Sequence, residues 1–183
     1  IFRATKSFYD SSRRSQEWMP IGTIKSLAIF PIKSCRRREV FSLFCGELGV
    51  SFKELRDREF IIVDGATGKL LTARQAPKLE LIEPDVTDGV LTVSVPNGEK
   101  LSINLDNVIK KNDVRRTTQW HNLQCDGLDC GDEIAKFFSE FTGTQGIRVI
   151  MYRPNLFNGR PCVTKQEWWD NPVPKRKDTA SNR

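Results

Sequence analysis

Lys33 and Ser34 stand at the end of a short apolar run, Leu27-Ala28-Ile29-Phe30-Pro31-Ile32, with Cys35 and then Arg36-Arg37-Arg38 directly behind them. A strand that ends in Pro and opens into a Lys-Ser pair makes an anion-receiving loop. Lysine brings a point charge, serine a short donor, and arginine a planar fork that fits phosphate. Two other stretches carry matching chemistry: Leu55-Arg56-Asp57-Arg58 precedes an apolar run, and Thr72-Ala73-Arg74-Gln75 follows one. Lys33, Ser34 and Arg58, with Arg74 as a further candidate, are the expected contacts to a phosphate-bearing ligand. The same residues admit a plainer account. Lys33 and the arginines would form a solvated loop, and Arg56, Asp57 and Arg58 an internal salt-bridge network. Local chemistry leaves both open.

A second constellation is His121 with Cys125 and Cys130. Two cysteines and a histidine are zinc ligands by type, but the spacing is not Cys-x-x-Cys, and only Asp126 or Asp129 could supply the fourth ligand. Burial of both thiols at a turn is the expectation instead. His121 is the only histidine, so any nucleophile-histidine device has to use it. No G-x-S-x-G, Walker loop or G-x-G-x-x-G is present.

The elements that must position these residues are mostly short strands. Residues 21–32, 40–44, 59–63, 69–72, 79–82, 90–95 and 101–105 read as strands from their β-branched and alternating apolar residues. Asp64-Gly65 and Pro96-Asn97-Gly98 read as hairpin turns. Ile134, Phe137, Phe138 and Phe141 then fall on one face of a helix over 132–141. Asp132 and Glu133 suit its positive end, and Gly143 stops it. Residues 146–152 form a last strand. This pattern predicts an α+β fold dominated by a small, mostly antiparallel β-barrel with one amphipathic helix near its C-terminal end.

The chain has 183 residues, 38% of them hydrophobic, which suits one globular domain with appendages. The division expected is a disordered or targeting-like segment over 1–20, a barrel domain over 21–152 and an extended tail over 153–183. The net charge of +6 lies in the two end segments, and residues 21–152 carry equal numbers of acidic and basic residues. A neutral body argues against a nucleic-acid face. Five cysteines do not make a disulfide framework. No run of about twenty apolar residues is present to span a membrane. The sequence opens on Ile1 rather than Met, and an upstream segment is expected. Residues 1–20 read equally as the end of a mitochondrial transit segment or as a linker.

In combination these residues resemble the N-terminal part of the MOSC-domain proteins, and among them the mitochondrial amidoxime-reducing components. The resemblance rests on Gly22-Thr23-Ile24, Ile29-Phe30-Pro31-Ile32-Lys33-Ser34-Cys35, Leu55-Arg56-Asp57-Arg58 and Leu71-Thr72-Ala73-Arg74-Gln75-Ala76-Pro77. Cys125-Asp126-Gly127 and Asp129-Cys130-Gly131-Asp132 complete it, over about residues 21–152. It implies an N-terminal β-barrel that packs on a C-terminal MOSC domain and shares a molybdenum cofactor with it. Carried over, Lys33, Ser34 and Arg58, and more remotely Arg74, contact the pterin and its phosphate.

The implied activity is reduction of N-hydroxylated compounds with electrons from cytochrome b5 and its reductase, at the mitochondrial outer membrane. The membrane would be reached only through an N-terminal anchor outside this sequence; without one the protein would be cytoplasmic. Related members are cofactor sulfurases. Arg37 stands where the family commonly has Gly. The thiolate that ligates molybdenum is expected from the MOSC domain, and Cys162 is not assigned that role. The chain alone is therefore expected to be catalytically incomplete. The alternatives carried forward are a non-catalytic binding module, a molybdenum-cofactor sulfurase-related protein and an RNA-binding barrel using Lys33 to Arg38.

Overall fold

The computed structural model describes residues 22–46, 48–120 and 123–156. Twelve strands and two α-helices follow in order. They are β1 (Leu27–Ile29), β2 (Arg38–Val40), β3 (Phe44–Gly46), β4 (Gly49–Phe52), β5 (Leu55–Arg56), β6 (Phe60–Asp64), β7 (Glu83–Thr87), β8 (Val90–Ser94), β9 (Lys100–Asn104), α1 (Leu105–Lys111), β10 (Val114–Thr118), β11 (Gln124–Asp129), α2 (Asp132–Thr142) and β12 (Ile147–Met151). All strand pairs are antiparallel, in the orders β1-β2, β3-β4-β5, β7-β8-β9 and β10-β11-β12-β6.

The four-stranded sheet curls back on itself. After β6 the Asp64–Gly68 turn reverses the chain, with the Gly68 amide donating to the Asp64 carbonyl at 2.8 Å. The Leu71 amide then bonds the Ile62 carbonyl at 2.8 Å, and the Leu70 amide bonds the Thr118 carbonyl at 3.0 Å. The segment after the turn thus joins β6 to β10, and the pairing returns to the strand from which it started. Gly68 allows it in two ways. Its φ is +67°, and a Cβ there would lie 2.7 Å from the Arg116 carbonyl oxygen. Gly127 permits an equally close approach of β11 to β12, since a Cβ would meet the Ile150 side chain at 2.6 Å.

Phe60, Ile62, Leu79, Ile82, Leu91, Ile134 and Phe138 are inaccessible to solvent and belong to one core. The expected helix is α2, which packs on β12, β9 and the turn over Pro77–Leu81. Gly143 ends it at φ +77°, its amide bonded to the Ser139 carbonyl at 2.9 Å.

Several local expectations are corrected. Residues 79–81 form not a strand but the end of a 3-10 turn over Pro77–Leu81, capped by the extended Ile82, because Pro77 pre-sets its first φ and Leu79 and Ile82 are buried. The strand proper is β7, where Pro84 is tolerated on a sheet edge. The strand expected over 21–32 is confined to β1. That expected over 40–44 splits into β2 and β3 around a bend at Phe41. A second helix, α1, follows β9 directly. Asn104 caps it by accepting from the Asn107 amide at 3.1 Å.

Candidate functional site

The loop carrying Lys33 and Ser34 and the loop carrying Arg58 are joined by backbone hydrogen bonds. The Arg58 amide donates to the Phe30 carbonyl at 2.6 Å, the Phe60 amide to the Pro31 carbonyl at 3.0 Å, and the Lys33 amide to the Phe60 carbonyl at 2.9 Å. The Asp57 carboxylate completes the clamp. One oxygen accepts from the Phe30 amide at 2.9 Å, and the other pairs with the Arg58 guanidinium. So the internal salt bridge foreseen at Asp57 exists, and it serves to hold Arg58 beside Lys33.

Two of the candidate residues have left-handed backbones without being glycine: Ser34 at φ +71° and Arg58 at φ +54°. Such conformations cost about 1–3 kcal/mol and persist where the surroundings over-determine them, often at ligand clamps. Arg58 is partly exposed, with 42% of its side chain open, and its guanidinium lies 5.6 Å over the Phe30 ring. Lys33 is half-buried. Lost hydration and then the positive charge of Arg58 hold its amine below the ordinary lysine range. Two cations pressed together in this way are relieved by an incoming anion.

The arginines that follow are spent differently. Arg36 pairs with Glu83 at 2.9 Å, Arg37 with Glu39 at 3.0 Å and Arg38 with Asp85 at 3.8 Å. The basic run is thus tied to its own acids and does not enlarge the Lys33 cluster. Arg74 stands in the third loop. Its guanidinium lies 5.9 Å over the Trp120 ring, and the loop is knit internally by Thr72, whose amide bonds the Gln75 side chain at 3.0 Å. The structure brings Lys33, Ser34 and Arg58 together on two adjoining segments and gives Arg74 a different partner.

Beside Arg58 opens a cleft also lined by Thr117, Gln119, Cys125 and Tyr152. Sequence reading missed Gln119 and Tyr152 as site residues. The usable signal was their position, at the end of β10 and just past β12, next to the Cys125-Asp126-Gly127 motif. Burial and the neighbouring Asp126 push the Cys125 thiol up to about 11. Cys35 and Cys130 are buried, and burial pushes both thiols above their ordinary range. Among the described residues no group of three His, Cys, Asp or Glu side chains is placed to hold a metal. His121 and Cys162 lie outside the described residues. The expectation that Cys130 is structural fits its place in the core.

The family model of the MOSC N-terminal beta barrel domain matches residues 21–145. The chain belongs to this family. Mouse mitochondrial amidoxime-reducing component 1 is 30% identical over 154 residues, which cover 84% of this chain and 44% of that protein. Rat mitochondrial amidoxime reducing component 2 is 32% identical over 142 residues, covering 76% of this chain and 40% of that protein. Zebrafish molybdenum cofactor sulfurase is 33% identical over 137 residues, covering 73% of this chain and 16% of that protein. The chain thus spans less than half the length of each relative. In this MOSC N-terminal barrel, the Lys33–Arg58 clamp lies on segments that tie β6 to the loop after β1. No helix among the described residues is long and apolar enough to cross a membrane.

Proposed function

We propose that this chain is the N-terminal barrel of a mitochondrial, molybdenum-cofactor-dependent oxidoreductase that reduces N-hydroxylated compounds. The observation that carries the proposal is the clamp in which Asp57 and the Phe30 backbone hold Arg58 against Lys33, next to the left-handed Ser34. Its donors suit the phosphate end of a pterin cofactor, with Lys33 as point charge, Arg58 as fork and Ser34 as a short donor. When bound, that cofactor would supply two-electron redox chemistry at molybdenum. This chain's part is to bind and orient the phosphate and to neutralise its charge.

Molybdenum calls for a soft thiolate. Cys35, the cysteine nearest the clamp in sequence, is 3% exposed, so it cannot reach a ligand in front of the loop. The proposal therefore draws the metal ligand and the catalytic centre from a C-terminal MOSC domain. Electrons would come from cytochrome b5 and its reductase, and any membrane attachment from an N-terminal anchor. These partners are what the resemblance to the amidoxime-reducing components implies.

The similarity to a molybdenum cofactor sulfurase supports a second reading, in which the barrel belongs to a sulfurase-related protein that handles the cofactor without reducing N-hydroxylated compounds. Cofactor loading decides between them. The chain is expressed alone and fused to a C-terminal MOSC domain, and molybdenum content and pterin fluorescence are measured. Loading that requires Lys33 and Arg58, with N-hydroxylamine reduction only in the longer protein, is expected. Loading with no reduction in the longer protein would favour the second reading. Loading untouched by Lys33→Ala and Arg58→Ala would remove the clamp from the site. An RNA-binding role is disfavoured by the pairing of Arg36, Arg37 and Arg38 with acids.

A further inference from the structure

An open groove of about 620 Å³ runs between the β4–β5 turn and the segment Tyr152–Pro154. It shares Glu59 and Tyr152 with the cleft beside Arg58, but neither Lys33 nor Arg58 lines it. Three cations do: Lys53, Arg56 and Arg153. Among the described residues, neither Arg56 nor Arg153 closes an ion pair. Two carboxylates, Glu54 and Glu59, share the walls with them, and Glu54 also accepts from the Gly89 amide at 2.9 Å. Three cations thus face two acids, and Glu59 is the acid that senses both arginines.

We propose that this groove is a binding site for a small dianion, a phosphate monoester or a dicarboxylate, held between the Arg56 and Arg153 guanidiniums with Lys53 at the rim. Three cations against two carboxylates leave the wall net positive, and two arginines lining one cavity suit a paired set of oxygens. Glu59 gives the site a second property. It feels both arginines, and burial works against its charged form. Its other charged or titratable neighbours are Cys130, whose thiol senses it, and Tyr152, whose amide bonds the Glu59 carbonyl at 2.8 Å. Asp57 and Arg58 flank it in sequence. An anion arriving at Arg56 and Arg153 competes with the Glu59 carboxylate for them, so Glu59 takes up a proton as the anion binds.

The test is calorimetric titration of the purified chain with inorganic phosphate and, separately, with succinate, in buffers of different ionisation enthalpy. Saturable binding is expected with proton uptake, and with succinate, over the pH range in which it stays a dianion, binding should tighten as pH falls. The tighter of the two probes identifies the class of dianion. Arg56→Gln and Arg153→Gln should each weaken it at least about tenfold, as loss of one charged hydrogen bond implies. Glu59→Gln should keep or strengthen binding and abolish the proton uptake. Lys33→Ala should leave the Arg56-dependent component of binding in place, which separates this groove from the clamp. No saturable binding of either probe, binding insensitive to Arg56→Gln, or binding lost in Lys33→Ala overturns the proposal. Arg56 is exposed, so its variant tests binding without endangering the fold.

Discussion

The Arg58 amide bonds the Phe30 carbonyl at 2.6 Å while the Arg58 guanidinium lies 5.6 Å over the Phe30 ring. One residue therefore holds the loop after β1 at both its backbone and its side chain. The consequence is that Arg58 is positioned before any ligand arrives. Pre-ordering a long, flexible side chain lowers the entropy cost of binding.

Asp57→Ala tests this arrangement. It removes the acceptor of the Phe30 amide and the partner of Arg58 at once. The unfolding free energy should fall by about 1–3 kcal/mol, the cost of stranding a partly buried donor. Cofactor retention in the longer protein should fall as well, although Asp57 carries the wrong charge to touch a phosphate. Denaturant unfolding and molybdenum content check the two effects. A variant with wild-type values of both would show that the clamp does not position Arg58.

Ser34→Gly separates strain from contact. Ser34 sits at φ +71°, where glycine is at ease. The substitution should raise stability by up to about 1 kcal/mol while cofactor retention drops, because the hydroxyl is gone. If retention stays unchanged, the hydroxyl does not contact the cofactor, and the left-handed turn alone is the feature that matters.

The pH dependence of stability should carry a Glu59 signature. Burial is the largest influence on its carboxyl and raises it above the ordinary range. Over the window between the ordinary and the raised value, the folded chain holds a proton that the unfolded chain has released. Stability must therefore fall as pH rises through that window, and the charged form costs stability above it. Glu59→Gln should flatten this slope and be more stable than the parent at neutral pH. Unfolding curves at a series of pH values read it directly. An unaltered slope in the variant would place the titration elsewhere.

Strands with clean alternation were legible in the sequence, as was the helix over 132–142, since Phe137, Phe138 and Phe141 mark its face and Gly143 its end. β10 and β11 were not. Their inward positions include Thr117 and Asp129, buried polar residues satisfied by hydrogen bonds or ion pairs, so they carry no apolar rhythm. Helix α1 was hidden because its first residue, Leu105, continues the alternation of β9. Its caps, Asn104 and the left-handed Asn112, were readable signals that went unused. Of the site, Lys33, Ser34 and Arg58 were legible by type and order. Arg37 pairs with Glu39 only two residues on, whereas the pairing of Arg36 and Arg38 with acids on β7 depends on long-range contact, which composition cannot show. The same holds for Glu59 and Arg153, which meet only when β6 pairs with β12.

The heaviest single substitution should be at Asp129, far in sequence from the clamp but in the wall that supports β12. Its side chain is fully buried and accepts from Arg148 at 2.6 and 2.7 Å, from the Gly131 amide at 2.8 Å, and pairs with Arg115. Asp129 and then Asp132 raise the Arg148 guanidinium further above its ordinary range, so the arginine stays charged at any accessible pH. Asp129→Asn leaves both guanidiniums facing a neutral amide, and the cost should be about 3–5 kcal/mol, as for a broken buried ion pair. Asp132 binds the same Arg148 at 2.6 Å, yet its side chain is 89% exposed. Asp132→Asn should therefore cost far less than Asp129→Asn, because an exposed pair is screened by solvent. Denaturant midpoints of the two variants, with the slope held constant, give the comparison. Equal losses would mean that burial does not set the strength of this network.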